Sequence, residues 1–246
     1  MVQIVDAYCT PGTERETVLS VEALLRLMDR ARIAKAVIAP QDREIAVANV
    51  EGNRRIAELA QRFSDRLIPA CTVNPWYGDA AIRELARSAA DAARMLVLAP
   101  ALQGFILTDE IADPLLEEAS RLNIPVYVHT GPHSAAAPSQ LLLVAARHPA
   151  VRFILGHCGS TDYHPDMPVV LAAAPENVWF ELSLVRPWSA AQYAASADPS
   201  RLLFGSAAPR NSPEYELCHF AEALPFEEYP AVYGENLLRL LEGASS

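Results

Sequence analysis

Short apolar runs alternate with longer amphipathic ones from one end of the 246-residue chain to the other. The short runs are rich in Val, Ile, Leu and Phe, and read as strands buried on both faces. They fall at residues 2–9, 34–39, 66–73, 103–107, 124–129, 151–156, 177–182 and 201–205. The segments between them carry the helical period. In "SVEALLRLMDRARI", Val21, Leu24, Leu25 and Met28 make one apolar stripe, and Ser20 stands where an N-cap is expected. "EGNRRIAELAQRF", "DAAIRELARSAADAARM", "DPLLEEASRLN", "APSQLLLVAARHP" and "PEYELCHFAEAL" follow the same logic, and "PFEEYPAVYGENLLRLLEG" reads as a last helical region. Asp79 and Asp113 are expected to cap helix starts, and Pro149 and Pro175 to close helices ahead of the next strand.

Strand–helix alternation implies parallel strands joined by right-handed crossovers. Eight such units in this length favour a single α/β domain over residues 1–246, a TIM (β/α)8 barrel. The alternative is an open doubly wound sheet, which is weakened because no G-x-G-x-x-G follows the first strand.

Composition narrows the function classes. The net charge of −10 is spread along the chain, which argues against nucleic acid or an anionic membrane surface as a partner. No apolar run reaches the roughly 18 residues needed to span a bilayer. Cys9, Cys71, Cys158 and Cys218 are far apart with no C-x-x-C, so buried reduced thiols and a cytoplasmic protein without a leader are expected.

In a barrel of this kind the chemistry sits at the C-terminal ends of the strands. The first strand, "IVDAYCTPG", ends in Asp6, Tyr8 and Thr10, which strict alternation places on one face with Cys9 on the other. The third ends near Cys71, Thr72 and Asn74; the fifth, "VHTG", gives His129; the sixth, "ILGHCG", gives His157. The seventh offers Glu181 and Ser183, and the eighth, "FGSAAP", gives Ser206 and Ala207.

"VHTG", "ILGHCG", "RLLFGSAAP" and the closing "YGENLLRLL", with "GNRRIAELAQRFSDRLIPACTVNP" ahead of them, resemble the amidohydrolase-related family (amidohydrolase family 2) over roughly residues 2–241. The resemblance implies a distorted (β/α)8 barrel, and metal-dependent hydrolase, hydratase or aromatic-acid decarboxylase chemistry. It also implies a metal held by H-x-H on strand one, His on strands five and six, and an Asp on strand eight that shuttles a proton. His129 and His157 match, but the H-x-H falls on Tyr8 and Thr10 and the Asp on Ala207. Two imidazoles alone are a poor zinc shell, since a catalytic zinc usually keeps three protein ligands and an open position. Zinc at His129 and His157 is therefore the only cofactor the resemblance suggests.

Several readings stay open on these residues. His129 and His157 serve as hydrogen-bonding members of a polar pocket, as metal ligands, or as acid–base groups. Tyr8 fills vacated metal space or donates to an oxyanion. Asp6, Thr10, Asn74, Glu181 and Ser206 are candidate substrate contacts, with Asp6 also a strand-end support and Glu181 facing in or out according to register. Asp162, His164 and Asp166 in "GSTDYHPD" read as a solvated loop, and His133, His148 and His219 carry no signal. The missing ligands lead to the expectation of a non-catalytic homologue, a homo-oligomer or the partner subunit of an active amidohydrolase. The alternatives are an active hydrolase or decarboxylase on a small carboxylate, lactone or amide, metal-free or with a rebuilt site, and a module whose barrel mouth binds a small-molecule ligand without changing it.

Overall fold

The structure is a computed structural model that describes residues 3–14, 17–131, 135–159 and 167–243. Strands β1 (Ile4–Cys9), β2 (Ile33–Ile38), β3 (Leu67–Thr72), β4 (Met95–Leu98), β5 (Val126–His129), β6 (Phe153–Gly156), β7 (Val178–Glu181) and β8 (Leu202–Leu203) pair in parallel, each with the next in sequence. Past the end of β8 the chain returns to β1. Ala7 N donates to Phe204 O at 3.0 Å, Thr10 N to Ala208 O at 2.8 Å, and Cys9 bridges Ala208 in parallel. These bonds join the two edges, so the sheet is a TIM barrel.

Helices α1 (Val21–Arg30), α2 (Asn49–Arg62), α3 (Asp79–Ala90), α4 (Asp113–Arg121), α5 (Pro138–Arg147), α6 (Met167–Ala173), α7 (Pro187–Ser196) and α8 (Pro213–Ala223) each follow their strand, and α9 (Glu235–Glu242) ends the chain. Alternation along each strand divides the core into two layers. Val5, Ala7, Val37, Ala70, Met95, Val97, Tyr127, Ile154 and Leu203 fill the barrel, and Leu237, Leu240 and Leu241 of α9 close its lower end. Ile38, Cys71, Leu98, Val128, Leu155 and Phe180 face the helices instead.

The fourth strand lies at Met95–Leu98 and not at 103–107. "MLVL" is buried on both faces, and without alternation it reads as the tail of the preceding helix. Residues 103–107 instead pass from a short helix (Pro100–Gln103) into a loop, where Phe105 and Leu107 bury against the outer layer. Ser20 caps α1 as expected, its Oγ accepting from Ala23 N at 3.1 Å. Asp79 and Asp113 are first helical residues with no side-chain cap bond, so at the helix N-terminus they act through their charge. Helices α6 and α7 are rich in Ala and Val or Ala and Ser, and lack the wide polar face that gives a helix away in sequence. Three of the four free thiols are buried; Cys218, on α8, is exposed. Among the described residues no helix is long and apolar enough to cross a membrane.

Candidate active site

Strict alternation fails at the end of β1. Between Asp6 and Cys9 the register against β2 shifts, which marks a β-bulge. Val5 and Ala7 face the barrel interior, and after the bulge Tyr8 does too. The Asp6 carboxylate turns to the other side, accepting from the Cys9 thiol at 3.2 Å and from Ser206 N at 2.9 Å. Asp6 and Tyr8 therefore do not share a face. Burial pushes the Asp6 carboxyl up to about 6.

Tyr8 enters the mouth of the barrel, stacked on Tyr127 with ring centroids 4.7 Å apart. Its hydroxyl lies 2.7 Å from His129 Nε2. His129 Nδ1 lies 3.2 Å from His157 Nε2, and His157 Nδ1 lies 2.7 Å from Ser183 Oγ. Ser183 Oγ donates to Glu181 Oε2 at 3.0 Å, and Tyr127 donates to the same oxygen at 2.7 Å. Backbone N–H groups fix the carboxylate further: His157 N on Oε2 at 3.0 Å and Ser183 N on Oε1 at 2.7 Å. The β7 register thus turns Glu181 inward, fully buried. Of the linked groups, His129 is the one partly exposed.

Burial sets the charge state of this series. Desolvation, with the neighbouring imidazole and the Arg210 charge behind it, holds His129 well below the usual histidine range. Desolvation and Arg210 bring His157 down to about 3. Burial raises Tyr8 and Tyr127 well above an ordinary phenol. Burial also raises Glu181, against the pull of its four donors. Near neutral pH both imidazoles and both phenols are uncharged.

The backbone around these groups is unusual. His157, Cys158, Leu184 and Ala207, at or just past the ends of β6, β7 and β8, have φ of 60°, 41°, 63° and 54°. The left-handed region costs a non-glycine residue about 1 kcal/mol or more, and such residues cluster at functional sites.

The other sequence candidates are placed as follows. Thr10 Oγ1 reaches Ala208 O at 3.5 Å, at the seam of the barrel. Asn74 spends its side chain on Trp76 N, Ala46 O and Gln103 O, tying adjoining loops together. Ser206 Oγ accepts from Ala208 N at 3.2 Å and lies 3.6 Å from Cys9 Sγ. His148 pairs with Asp113 at 3.0 Å on the outer layer, and His219 stacks on Tyr215. His133, Asp162, His164 and Asp166 lie outside the described residues. A cleft of about 1110 Å³ is lined by Lys35, Arg94, Leu238 and Leu241, at the opposite end of the barrel from this chemistry.

The amidohydrolase family profile matches residues 14–242. The chain belongs to the amidohydrolase family. Solved structures share its fold at low identity. A 2,6-dihydroxybenzoate decarboxylase from Rhizobium superposes with a TM-score of 0.79 at 17% identity, covering 98% of this chain and 99% of the other. A 5-carboxyvanillate decarboxylase from Sphingomonas paucimobilis gives 0.77 at 14%, covering 99% and 100%. A dihydroxybenzoic acid decarboxylase from Polaromonas sp. JS666, with bound manganese and 2-nitroresorcinol, gives 0.76 at 16%, covering 98% and 97%. No curated protein matches in sequence.

The described residues of this family member do not fit the metal that the family resemblance implies. Ala207 offers no donor, and the Thr10 hydroxyl is turned to a backbone carbonyl. Tyr8 occupies His129 Nε2, and the Glu181 oxygens are taken by four donors. Among the described residues no three His, Cys, Asp or Glu side chains converge on a point that could hold an ion. The site is built instead from groups that hydrogen-bond one another.

Sequence reasoning missed three of its members. Tyr127 lies inside β5, where its aromatic ring reads as core filler. Arg210, just past β8, pairs with Asp42 at 2.8 Å, and its charge bears on Tyr8, His129 and His157. Glu216, on α8, is buried; its Oε1 accepts from Leu184 N at 3.1 Å and Asn211 Nδ2 at 2.6 Å. Burial pushes its carboxyl from 4.5 up to about 7. Below pH 4.5 this group is neutral in folded and unfolded chains alike. Between 4.5 and about 7 the unfolded chain releases the proton and the folded chain keeps it, so its contribution falls as pH rises through that window. The loss reaches about 3 kcal/mol. Glu216→Gln, whose amide oxygen keeps both donors, is expected to narrow the stability difference between about pH 5 and about pH 8 by that order. Urea midpoints at the two pH values check it, and an unchanged difference would refute it.

Proposed function

We propose that this amidohydrolase is an enzyme that moves a proton to or from a small carboxylate, lactone or amide, using Tyr8 and His129 in place of the family's metal. The observation that carries this reading is the unbroken series of hydrogen-bonded side chains from partly exposed His129, with Tyr8 on it, to buried Glu181. An acid–base group needs a neighbour within hydrogen-bond reach and a defined protonation state, and both are present. Left-handed backbone at His157, Cys158, Leu184 and Ala207 supports a site kept for use rather than for stability. A carboxylate substrate is favoured by Arg210, a cation whose field reaches the mouth, and a guanidinium suits carboxylate geometry. The three decarboxylases of the same fold are named for aromatic carboxylic acids, which is consistent with that class.

A second reading, a non-catalytic homologue or partner subunit, is favoured by the Tyr8–Tyr127 stack that fills the mouth. An activity screen over hydroxybenzoates, lactones and small amides, with and without a chelator, separates the two. Turnover that survives the chelator is expected. Arg210→Ala should then raise KM for a carboxylate about tenfold, a loss of about 1.4 kcal/mol in binding. No turnover across the panel would favour the non-catalytic reading.

A further inference from the structure

The hydrogen bonds at the mouth have a direction, and it is fixed from the buried end. Glu181 Oε1 accepts from Ser183 N, and Oε2 from His157 N. A backbone N–H can only donate, so each carboxylate oxygen accepts one hydrogen bond before any side chain is considered. Tyr127 also donates to Oε2, and the Ser183 hydroxyl does the same. Having spent its one proton on Glu181, Ser183 Oγ can only accept from His157 Nδ1, 2.7 Å away. A neutral imidazole with Nδ1 as donor has Nε2 as acceptor, so His157 Nε2 must accept from His129 Nδ1 at 3.2 Å. His129 Nε2 is then an acceptor too, and takes the Tyr8 hydroxyl proton at 2.7 Å.

We infer that Tyr8, His129, His157, Ser183 and Glu181 form a one-way proton relay, with both histidines held as Nδ1–H tautomers, Glu181 as the final proton acceptor, and Ser183 and Tyr127 as positioning residues. The inference rests on the acid–base reading above and deepens it. It makes the site a proton acceptor toward its substrate. As a substrate proton passes to the Tyr8 oxygen, the Tyr8 proton moves to His129 Nε2 and the His129 Nδ1 proton moves to His157 Nε2. The His157 Nδ1 proton then moves to Ser183 Oγ, and the Ser183 proton moves to Glu181 Oε2. The net change is a deprotonated substrate and a neutral Glu181 carboxylic acid. Each imidazole gains one proton and gives one up, so neither has to carry charge at the end of the transfer. Such an arrangement suits imidazoles buried where a cation is disfavoured. The substrate class that fits is an acidic O–H or C–H, or a water that becomes the nucleophile in hydrolysis of a lactone or amide.

The test is the tautomer of each histidine, read from ¹⁵N shifts and two-bond couplings in protein labelled with ¹⁵N-histidine. Nδ1–H at both His129 and His157 is expected, assigned by His129→Gln and His157→Gln spectra. An Nε2–H form at either residue overturns the relay, and through-space contacts of the two rings with Tyr8 and Tyr127 assign them in wild-type protein whether or not any variant folds. Glu181→Gln removes the anionic end that sets the direction, and Nε2–H signals should appear at His157; retention of a single Nδ1–H form there would show that Glu181 does not set it. Once a substrate is found, Ser183→Ala should cut kcat about tenfold or more with KM little changed. There Glu181 Oε2, 3.4 Å from His157 Nδ1, still holds the tautomer. Unchanged kcat in Ser183→Ala would remove Ser183 from the path. Correct tautomers in a protein that turns over nothing would leave the directed chain standing and overturn the enzymatic reading instead.

Discussion

Tyr8→Phe is expected to lower kcat by about 10²–10⁴-fold, the range usual for loss of a positioned acid–base group, with KM changed only a few-fold. The reasoning separates the ring from its hydroxyl. The ring is held by its stack on Tyr127, and phenylalanine keeps that contact, the fill of the mouth and the packing against the barrel core. The hydroxyl bonds His129 Nε2 at 2.7 Å. Removing it takes away the outermost donor of the proposed relay and leaves the rest of the series intact. Because His129 is partly exposed, water can replace the lost donor, and the stability cost stays near 1 kcal/mol. Rate and stability therefore part company: a fall in kcat with a nearly unchanged urea midpoint supports catalysis by the phenol. A kcat within twofold of wild type would mean that Tyr8 merely fills space, as the non-catalytic reading has it.

The barrel was legible because its strands are apolar runs separated by helical periods, and because parallel strands covered by helices need both faces apolar. The same property hid β4: "MLVL" has no alternation to mark it, and the preceding helix runs up to it through Ala-rich sequence. At the site, His129 and His157 were visible from their place at strand ends. The bulge that turns Asp6 away from Tyr8 was not, since a single unpaired residue leaves no trace in a hydrophobic pattern. Glu181 was ambiguous for a related reason: a one-residue change of register would send it to the other layer. Ser183 was visible as a polar residue just past a strand, but Tyr127 acquires its importance only through distances to residues far off in sequence, and no local signal could have singled it out. Arg210 and Glu216 likewise depend on which helix and loop the barrel folds over its mouth.

Gly156→Ala is expected to destabilise the protein by about 3–5 kcal/mol, although the change is one methyl group. The glycine ends β6, next to His157, and its backbone is not in the left-handed region, so conformational freedom is not the issue. Space is. A Cβ placed there would lie 2.3 Å from Tyr127 Cε1, 2.4 Å from Cζ and 2.6 Å from the hydroxyl oxygen. The ring cannot easily withdraw. Tyr8 is stacked on it and its hydroxyl is anchored 2.7 Å from Glu181 Oε2. Forcing it aside costs about 1–3 kcal/mol of overpacking, and breaking its bond to a buried carboxylate adds about 1.5–3 kcal/mol. A double-mutant cycle isolates the cause. Tyr127→Val removes the ring that the new methyl strikes, so Gly156→Ala should cost far less in that background, with a coupling of about 1 kcal/mol or more. Additive costs, read from urea midpoints across the four proteins, would show that the clash is relieved elsewhere. With Tyr127 in place, the displaced ring also takes a donor from Glu181, so the single variant should lose turnover along with stability. The first glycine of "ILGHCG", Gly156, is therefore needed for a reason its own φ does not show: it leaves room for the tyrosine that holds the buried end of the series.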